Sequence, residues 1–342
     1  MKTPAAILVE QRKPLDIDEV EIPALGYGQV LVQVKASRIC GSQLGEIEGV
    51  KGPDKYLPHL LGHEAGGIVM EVGSEVSHVK PGDHVVLHWR PGAGIQARPA
   101  QYRIDNRVIN AGNITTFQTY TVVSENRLTR IPDDVDFETA ALLADTLTTG
   151  FGAVTRDAEV RIGESVVVIG VGGIGLGAVL GASLAGACPV IAADIQDHKL
   201  AKAREFGATH LVNTRNESLV EAVTKLLGGP ADAVFDVTGN PAVIEQAWKI
   251  TSPKGRLLLV GVMKHDQHFC FNTLPLHYGK VLTGSEGGSS IPHVDIPRYL
   301  RLIRAGRFNP QAMISHRCSL AQVNEAIATM RSGESIHTMI QF

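Results

Sequence analysis

The chain has 342 residues, 44% hydrophobic and 20% charged, with a formal net charge of −3. This length accommodates two domains, and the apolar share supports a substantial core. The near-balanced charge excludes the basic footprint of a nucleic-acid-binding surface, so no nucleic-acid partner is expected.

The first third reads as short strands and turns. Residues 29–35 alternate apolar and polar as a half-buried strand does, residues 66–73 form a second strand running into a turn, and Lys80-Pro-Gly-Asp83 is a turn before a strand at 84–88. Strands at this spacing predict a compact, barrel-like β domain. Near Asp136 the pattern changes, and residues 137–154 read as helical. From Ser165 onward strands alternate with helices. The strands are expected at 165–169, 189–193, 233–237 and 256–260, and the helices at 176–185, 197–206 and 217–227. Such alternation predicts an α/β unit with a doubly wound parallel sheet. Helices at 296–305 and 320–330 and a strand at 338–342 complete the chain.

The run 166–193 is apolar enough to mimic a membrane span, but seven glycines and Pro189 interrupt it. A buried strand–helix–strand accounts for it, and no membrane association is expected. The N-terminal apolar stretch is too short for a signal peptide. Cys40, Cys188, Cys270 and Cys318 are too scattered for a disulfide framework, which makes a reducing, cytoplasmic setting the default.

Two patterns carry chemistry. The first is Gly-Val-Gly-Gly-Ile-Gly at 170–175, between an apolar strand and a helix, with Asp194 ending the next strand nineteen residues after Gly175. This arrangement binds a dinucleotide. Gly170 allows the tight turn, Gly172 leaves room for the pyrophosphate, and Gly175 lets the helix lie close on the strand. The helix N-terminus, with Gly173 and Ile174, presents free N–H groups to the phosphates. Asp194 can accept both ribose hydroxyls of NAD and would repel the 2′-phosphate of NADP. The second pattern is Cys40, His63 and Asp145: a thiolate, an imidazole and a carboxylate that together could hold zinc with one position open. They lie far apart in sequence, so spacing alone does not join them.

The surrounding motifs do. Cys-Gly-Ser (40–42), Gly-His-Glu-Ala-Gly-Gly (62–67), Pro-Gly-Asp-His-Val (81–85), Thr-Thr-Gly-Phe-Gly (148–152), the glycine run at 170–175 with Asp194, and Arg331-Ser-Gly-Glu-Ser-Ile336 resemble the zinc-dependent alcohol dehydrogenases of the medium-chain dehydrogenase/reductase superfamily. The resemblance runs nearly end to end. It implies a GroES-like β-barrel catalytic domain at 1–147 and 286–342 and a Rossmann domain at 148–285, with zinc and NAD as cofactors. It implies metal ligation by Cys40, His63 and Asp145, with Glu64 as an exchangeable or supporting carboxylate. Asp145 stands where the family usually has cysteine. Ser42 matches the hydroxyl that starts the proton relay. Thr149, Ile195, Lys199, Thr238, Val260, Val262 and Ser285 join the glycines and Asp194 as expected cofactor contacts. A homodimer or homotetramer acting on a small alcohol or ketone is also implied.

The chain departs from the family at three places. Residues 90–113 hold no cysteine, so one zinc per chain is expected, without the structural zinc of many members. The relay histidine of some members falls at Gly45. Basic residues that contact the pyrophosphate fall at Gly41 and His337. Trp89, Phe117, Gln118, Val262, Ser285 and Glu286 are expected near the substrate channel, with His88 and Arg90 flanking it. The polarity of Gln118, Ser285 and Glu286 favours a polyol, sugar-like or other polar secondary alcohol. Simple primary alcohols are the alternative, followed by a zinc-free quinone or enoyl reductase and a non-catalytic binding protein. Bland readings suffice for Cys188, Cys270 and Cys318 as thiols, for His265 and His268 as loop residues, and for Arg98, Arg103 and Arg107 as surface charges.

Overall fold

A computed structural model describes all residues, Met1–Phe342. The chain divides into two compact units, one made of Met1–Asp145 with Ile291–Phe342 and the other of Thr146–Ser290. The breaks therefore fall at 145/146 and 290/291, where the sequence places them at 147/148 and 285/286.

The first unit is built on two sheets. One orders the strands His59–Leu60, Lys2–Leu8, Asp16–Glu21, Tyr102–Ile104 and Arg107–Ile109. The other orders Leu128–Ile131, His84–His88, Glu64–Val72, Gln29–Ile39, Thr338–Gln341 and His316–Ser319, with Tyr120–Ser124 also paired to Gln29–Ile39. The strand expected at 29–35 thus continues to Ile39, because Ser37 still pairs with Ala65 and Ile39 with Thr338. Its inward valines, Val30, Val32 and Val34, pack with Ala65, Val69, Val85 and Leu87.

One close approach positions the chemistry of this unit. The helix Phe137–Ala144 starts at Asp136, whose carboxylate caps the Thr139 N–H at 2.8 Å. Its Ala140–Ala144 stretch is buried. The helix lies on the strand Glu64–Val72 at Gly66, where a Cβ would stand 2.5 Å from the Phe137 carbonyl and 2.7 Å from the Ala140 Cβ. Only a glycine lets the helix settle at this depth. The single helix expected over 137–154 is in fact two, interrupted at Asp145, whose backbone (φ −141°, ψ −54°) leaves the helical region.

The second unit is a six-stranded parallel sheet. Numbered in chain order, Val166–Ile169, Val190–Asp194, His210–Asn213, Ala231–Asp236, Thr251–Leu259 and Val281–Gly284 run 3-2-1-4-5-6. Val167, Ile169, Ile191, Val234 and Leu257 from these strands meet Val223, Ile244 and Trp248 from the helices in one core. Strands one and four are neighbours, so the chain reverses its direction of winding between them. In open α/β sheets a ligand binds in the crevice at that switch point. No helix is long and apolar enough to cross a membrane.

Gly66→Val should lower stability by about 1–3 kcal/mol, as overpacking of a close backbone contact does. It should also weaken metal retention, because the displaced helix carries Asp145. Thermal unfolding with and without added metal checks both, and a wild-type melting temperature would contradict the packing argument.

Candidate metal centre and dinucleotide-binding edge

Antiparallel pairing brings the end of Gln29–Ile39 beside the start of Glu64–Val72. Cys40 follows the first strand, and His63 precedes Glu64 at the start of the second. Asp145 arrives from the end of Phe137–Ala144. The donor atoms of Cys40, His63, Glu64 and Asp145 all lie within 4.8 Å of one another. His63 Nε2 is 3.4 Å from Asp145 Oδ2 and 3.8 Å from Glu64 Oε1, and Cys40 Sγ is 3.8 Å from Asp145 Oδ2. Ligands at zinc–ligand bond lengths of about 2.0–2.3 Å, placed tetrahedrally, stand roughly 3.3–3.8 Å apart. The spacing and the mix of thiolate, imidazole and carboxylate therefore fit zinc. Glu64 Oε2, buried and without a hydrogen-bond partner, is an acceptor left over for such an ion.

Surrounding side chains hold the donors. Arg38 Nη1 donates to Glu64 Oε1 at 2.7 Å, with both side chains almost fully buried. The Trp89 indole N–H donates to Asp145 Oδ1 at 2.8 Å. Gln43 accepts the Cys40 N–H through Oε1 at 2.9 Å, and its amide nitrogen stands 2.5 Å from His63 Nδ1. Burial pushes the Cys40 thiol up, but Arg38 and the hydrogen bond with His63 outweigh it and bring the thiol down to about 7. Burial also opposes the imidazolium of His63, yet Asp145 and Cys40 raise it well above the ordinary value. Glu64 is raised well above the carboxylate range by burial, which Arg38 only partly offsets. A metal ion would take the place of these protons.

Ser42 lies exposed in the first turn of the helix Gly41–Glu48. Sequence reasoning passed over Arg38 and Gln43, and each has a signal. Arg38 precedes Cys40 by two residues, the strand repeat that puts both on one face. Gln43 stands three residues after Cys40, the spacing of a capping box.

Several residues expected at the channel make contacts inside the protein. Gln118 is fully buried, and its amide donates to the Tyr102 hydroxyl at 3.1 Å and to Thr115 Oγ1 at 3.2 Å. Ser285 donates to Asp157 Oδ2 at 2.5 Å and accepts the Gly288 N–H. Phe117 belongs to the core with Leu61 and Ile39. The Gln118 amide nitrogen and the Ser285 hydroxyl are engaged inside the protein, while Gln118 Oε1 is buried without a partner. His88 is also buried: Nδ1 meets the Arg90 carbonyl at 2.7 Å and Nε2 meets Thr129 Oγ1 at 2.9 Å. Burial lowers it to about 4. His337 is buried too, and burial, followed by Arg38, holds it neutral. Trp89 remains as the aromatic side chain in contact with a metal-site donor, and Glu286 and Val262 are exposed.

In the second unit the expected cofactor residues gather at the carboxyl ends of the parallel strands. Gly170 follows strand one with φ +86°, and Gly172 caps the helix Gly173–Leu184, with open space where its Cβ would be. A Cβ on Gly175 would stand 2.0 Å from the Gly170 carbonyl, so the helix can rest on the turn only with glycine there. Ile174 lies in the first turn of this helix. Asp194 ends strand two, with Oδ2 accepting the Val171 N–H at 2.9 Å and Oδ1 the Gln196 N–H at 3.0 Å. Ile195 is exposed beside it, and Lys199 lies on the helix Asp197–Glu205. Thr238 follows strand four and donates to Asp236 Oδ1 at 2.6 Å. Val260 and Val262 follow strand five, and Ser285 follows strand six. Thr149 differs: it is buried in the helix Thr146–Gly152.

Comparison with known proteins finds relatives over the full length of the chain. Residues 26–133 match the alcohol dehydrogenase GroES-like domain and residues 173–305 the zinc-binding dehydrogenase family. S-(hydroxymethyl)glutathione dehydrogenase of Paracoccus denitrificans is 31% identical, with both chains covered in full. The crystal structure of an alcohol dehydrogenase zinc-binding domain protein from Burkholderia ambifaria superposes with a TM-score of 0.92 at 29% identity, covering 100% of this chain and 99% of that one. Benzyl alcohol dehydrogenase from Acinetobacter calcoaceticus superposes with a TM-score of 0.90 at 25% identity and the same coverage.

His88 makes stability depend on pH. Its folded value of about 4 lies below the unfolded value of 6.5, so the unfolded chain binds the extra proton between them. The contribution is complete above pH 6.5 and is lost as pH falls towards 4, amounting to about 3 kcal/mol. Unfolding midpoints of wild type and His88→Gln across pH 4–8 should converge on the acid side. Parallel curves would contradict a buried neutral histidine.

Proposed function

The chain belongs to the zinc-dependent alcohol dehydrogenases of the medium-chain dehydrogenase/reductase superfamily, oxidoreductases acting on CH–OH donors, and from this premise we propose its residue roles, cofactor and substrate class. Cys40, His63 and Asp145 hold one zinc per chain, and NAD binds at the glycine turn 170–175 with Asp194. The observation that carries the reading is the convergence of four metal-competent donors within 4.8 Å.

Bound zinc supplies a Lewis acid that lowers the pKa of an alcohol hydroxyl. The chain's own groups do the rest. Trp89 fixes the carboxylate of Asp145, and Gln43 ties the backbone of Cys40 to the ring of His63. Ser42 receives the hydroxyl proton and, being exposed, hands it to water without a relay histidine. Asp194, held by two backbone N–H groups, offers its remaining lone pairs to the ribose hydroxyls, and its charge disfavours a 2′-phosphate. NAD held at the glycine turn 170–175 and Asp194 would supply the hydride acceptor for the carbinol carbon.

The proposed substrate is an alcohol with an aromatic or apolar carbinol substituent, packed on Trp89. The polyol reading rested on three polar groups, of which the Ser285 hydroxyl and the Gln118 amide nitrogen are engaged elsewhere, and Gln118 itself is fully buried. The proposed assembly is a homodimer or homotetramer, on the family resemblance alone. The proposed location is the cytoplasm, where the four free cysteines would stay reduced.

Steady-state kinetics test the reading. Benzyl alcohol should exceed sorbitol in kcat/KM by at least about tenfold, the scale of one apolar contact. Asp194→Ala should erode the preference for NAD over NADP by about 100-fold, the scale of a removed like-charge repulsion. A higher kcat/KM for sorbitol would restore the polyol substrate. Turnover of neither alcohol with either cofactor, in metal-replete protein, would refute the dehydrogenase reading.

A further inference from the structure

Glu64 presents an unusual choice. Its Oε1 stands 3.8 Å from His63 Nε2, an edge length that suits a fourth tetrahedral ligand, yet the same oxygen accepts Arg38 Nη1 at 2.7 Å. Its other oxygen has no partner, and neither does Arg38 Nε. Both side chains are essentially dry, at 3% and 0% exposure. Glu64 lies within reach of the other three donors, so the guanidinium on Oε1 competes directly with an ion for this carboxylate.

We propose that Arg38 is a positioning residue that sets the number of protein ligands at the metal. It holds Glu64 in an ion pair and so keeps one coordination position for substrate. The inference rests on the metal site proposed above. Charge balance supports it. Cys40, Glu64 and Asp145 contribute three negative charges when deprotonated, and a divalent ion with Arg38 contributes three positive ones. In a dry site, removing the guanidinium leaves the cluster one charge in excess and the Glu64 carboxylate unpaired. An unpaired buried carboxylate is costly, and coordination to the ion is the nearest remedy. The substrate position then closes.

Cobalt(II) in place of zinc reports the ligand number through its visible absorption bands, independently of turnover, and imidazole serves as a neutral monodentate probe of the open position. Wild type and Arg38→Lys should each bind one imidazole with a change in the bands. Arg38→Met should bind cobalt but take imidazole about 10- to 100-fold more weakly, the range for residues that orient metal ligands. Arg38→Met combined with Glu64→Gln should regain imidazole binding, which separates a new ligand from a mere change of charge. Wild-type imidazole affinity in Arg38→Met would overturn the proposal. If that variant does not fold, Glu64→Gln alone decides: unchanged cobalt bands support the proposal, and altered bands, showing Glu64 already bound in wild type, overturn it. Failure of wild type to take up cobalt would instead overturn the metal site itself.

Discussion

The constraint on which the rest depends is the crowding of three acidic side chains and one imidazole into a dry volume in which all donor atoms lie within 4.8 Å. Two like charges 3.8 Å apart repel by about 4 kcal/mol at an effective dielectric constant of 20. A fold that only had to be stable would not retain such a cluster. The upward shifts of His63 and Glu64 and the charge of Arg38 offset this repulsion, and a divalent cation would offset it as well. The lowered thiol and raised imidazole are those of a close-packed donor cluster whose charge and spacing suit the divalent ion proposed for it.

The scaffold around this cluster serves geometric precision more than stability. Two neighbouring antiparallel strands deliver Cys40 and His63 from opposite directions. A helix seated on Gly66 delivers Asp145, and the helix breaks there so that the carboxylate can turn towards the other donors. Trp89, Gln43 and Arg38 then remove the remaining rotational freedom. The second unit solves a different problem with different means. It presents backbone N–H groups and one fixed carboxylate at the switch point of a parallel sheet, where a dinucleotide needs weak contacts along its length.

Period, punctuation and motif made much of this legible in the sequence. The strand–glycine–helix–strand unit was readable because glycine at Gly170, Gly172 and Gly175 and an acid at Asp194 each answer a local demand. Cys40, His63, Glu64 and Asp145 came together only through resemblance to a family, since nothing local announces a contact across a hundred residues. What stayed hidden was the satisfaction of polar groups. Gln118, Ser285 and His88 look available in a sequence, and whether each meets solvent, substrate or a neighbour is decided by tertiary packing. Arg38 shows the converse. A charged residue in an apolar strand reads as an edge feature, and only its buried partner Glu64 reveals that it belongs to the donor cluster.

The measurement that tests the central claim most directly is the metal content of the purified chain, before and after dialysis against a chelator, compared with Cys40→Ala. One zinc per chain, lost together with alcohol oxidation on chelation and absent from the variant, is the expected result. A metal-replete preparation that holds no zinc, or a Cys40→Ala variant that retains it, would contradict the account.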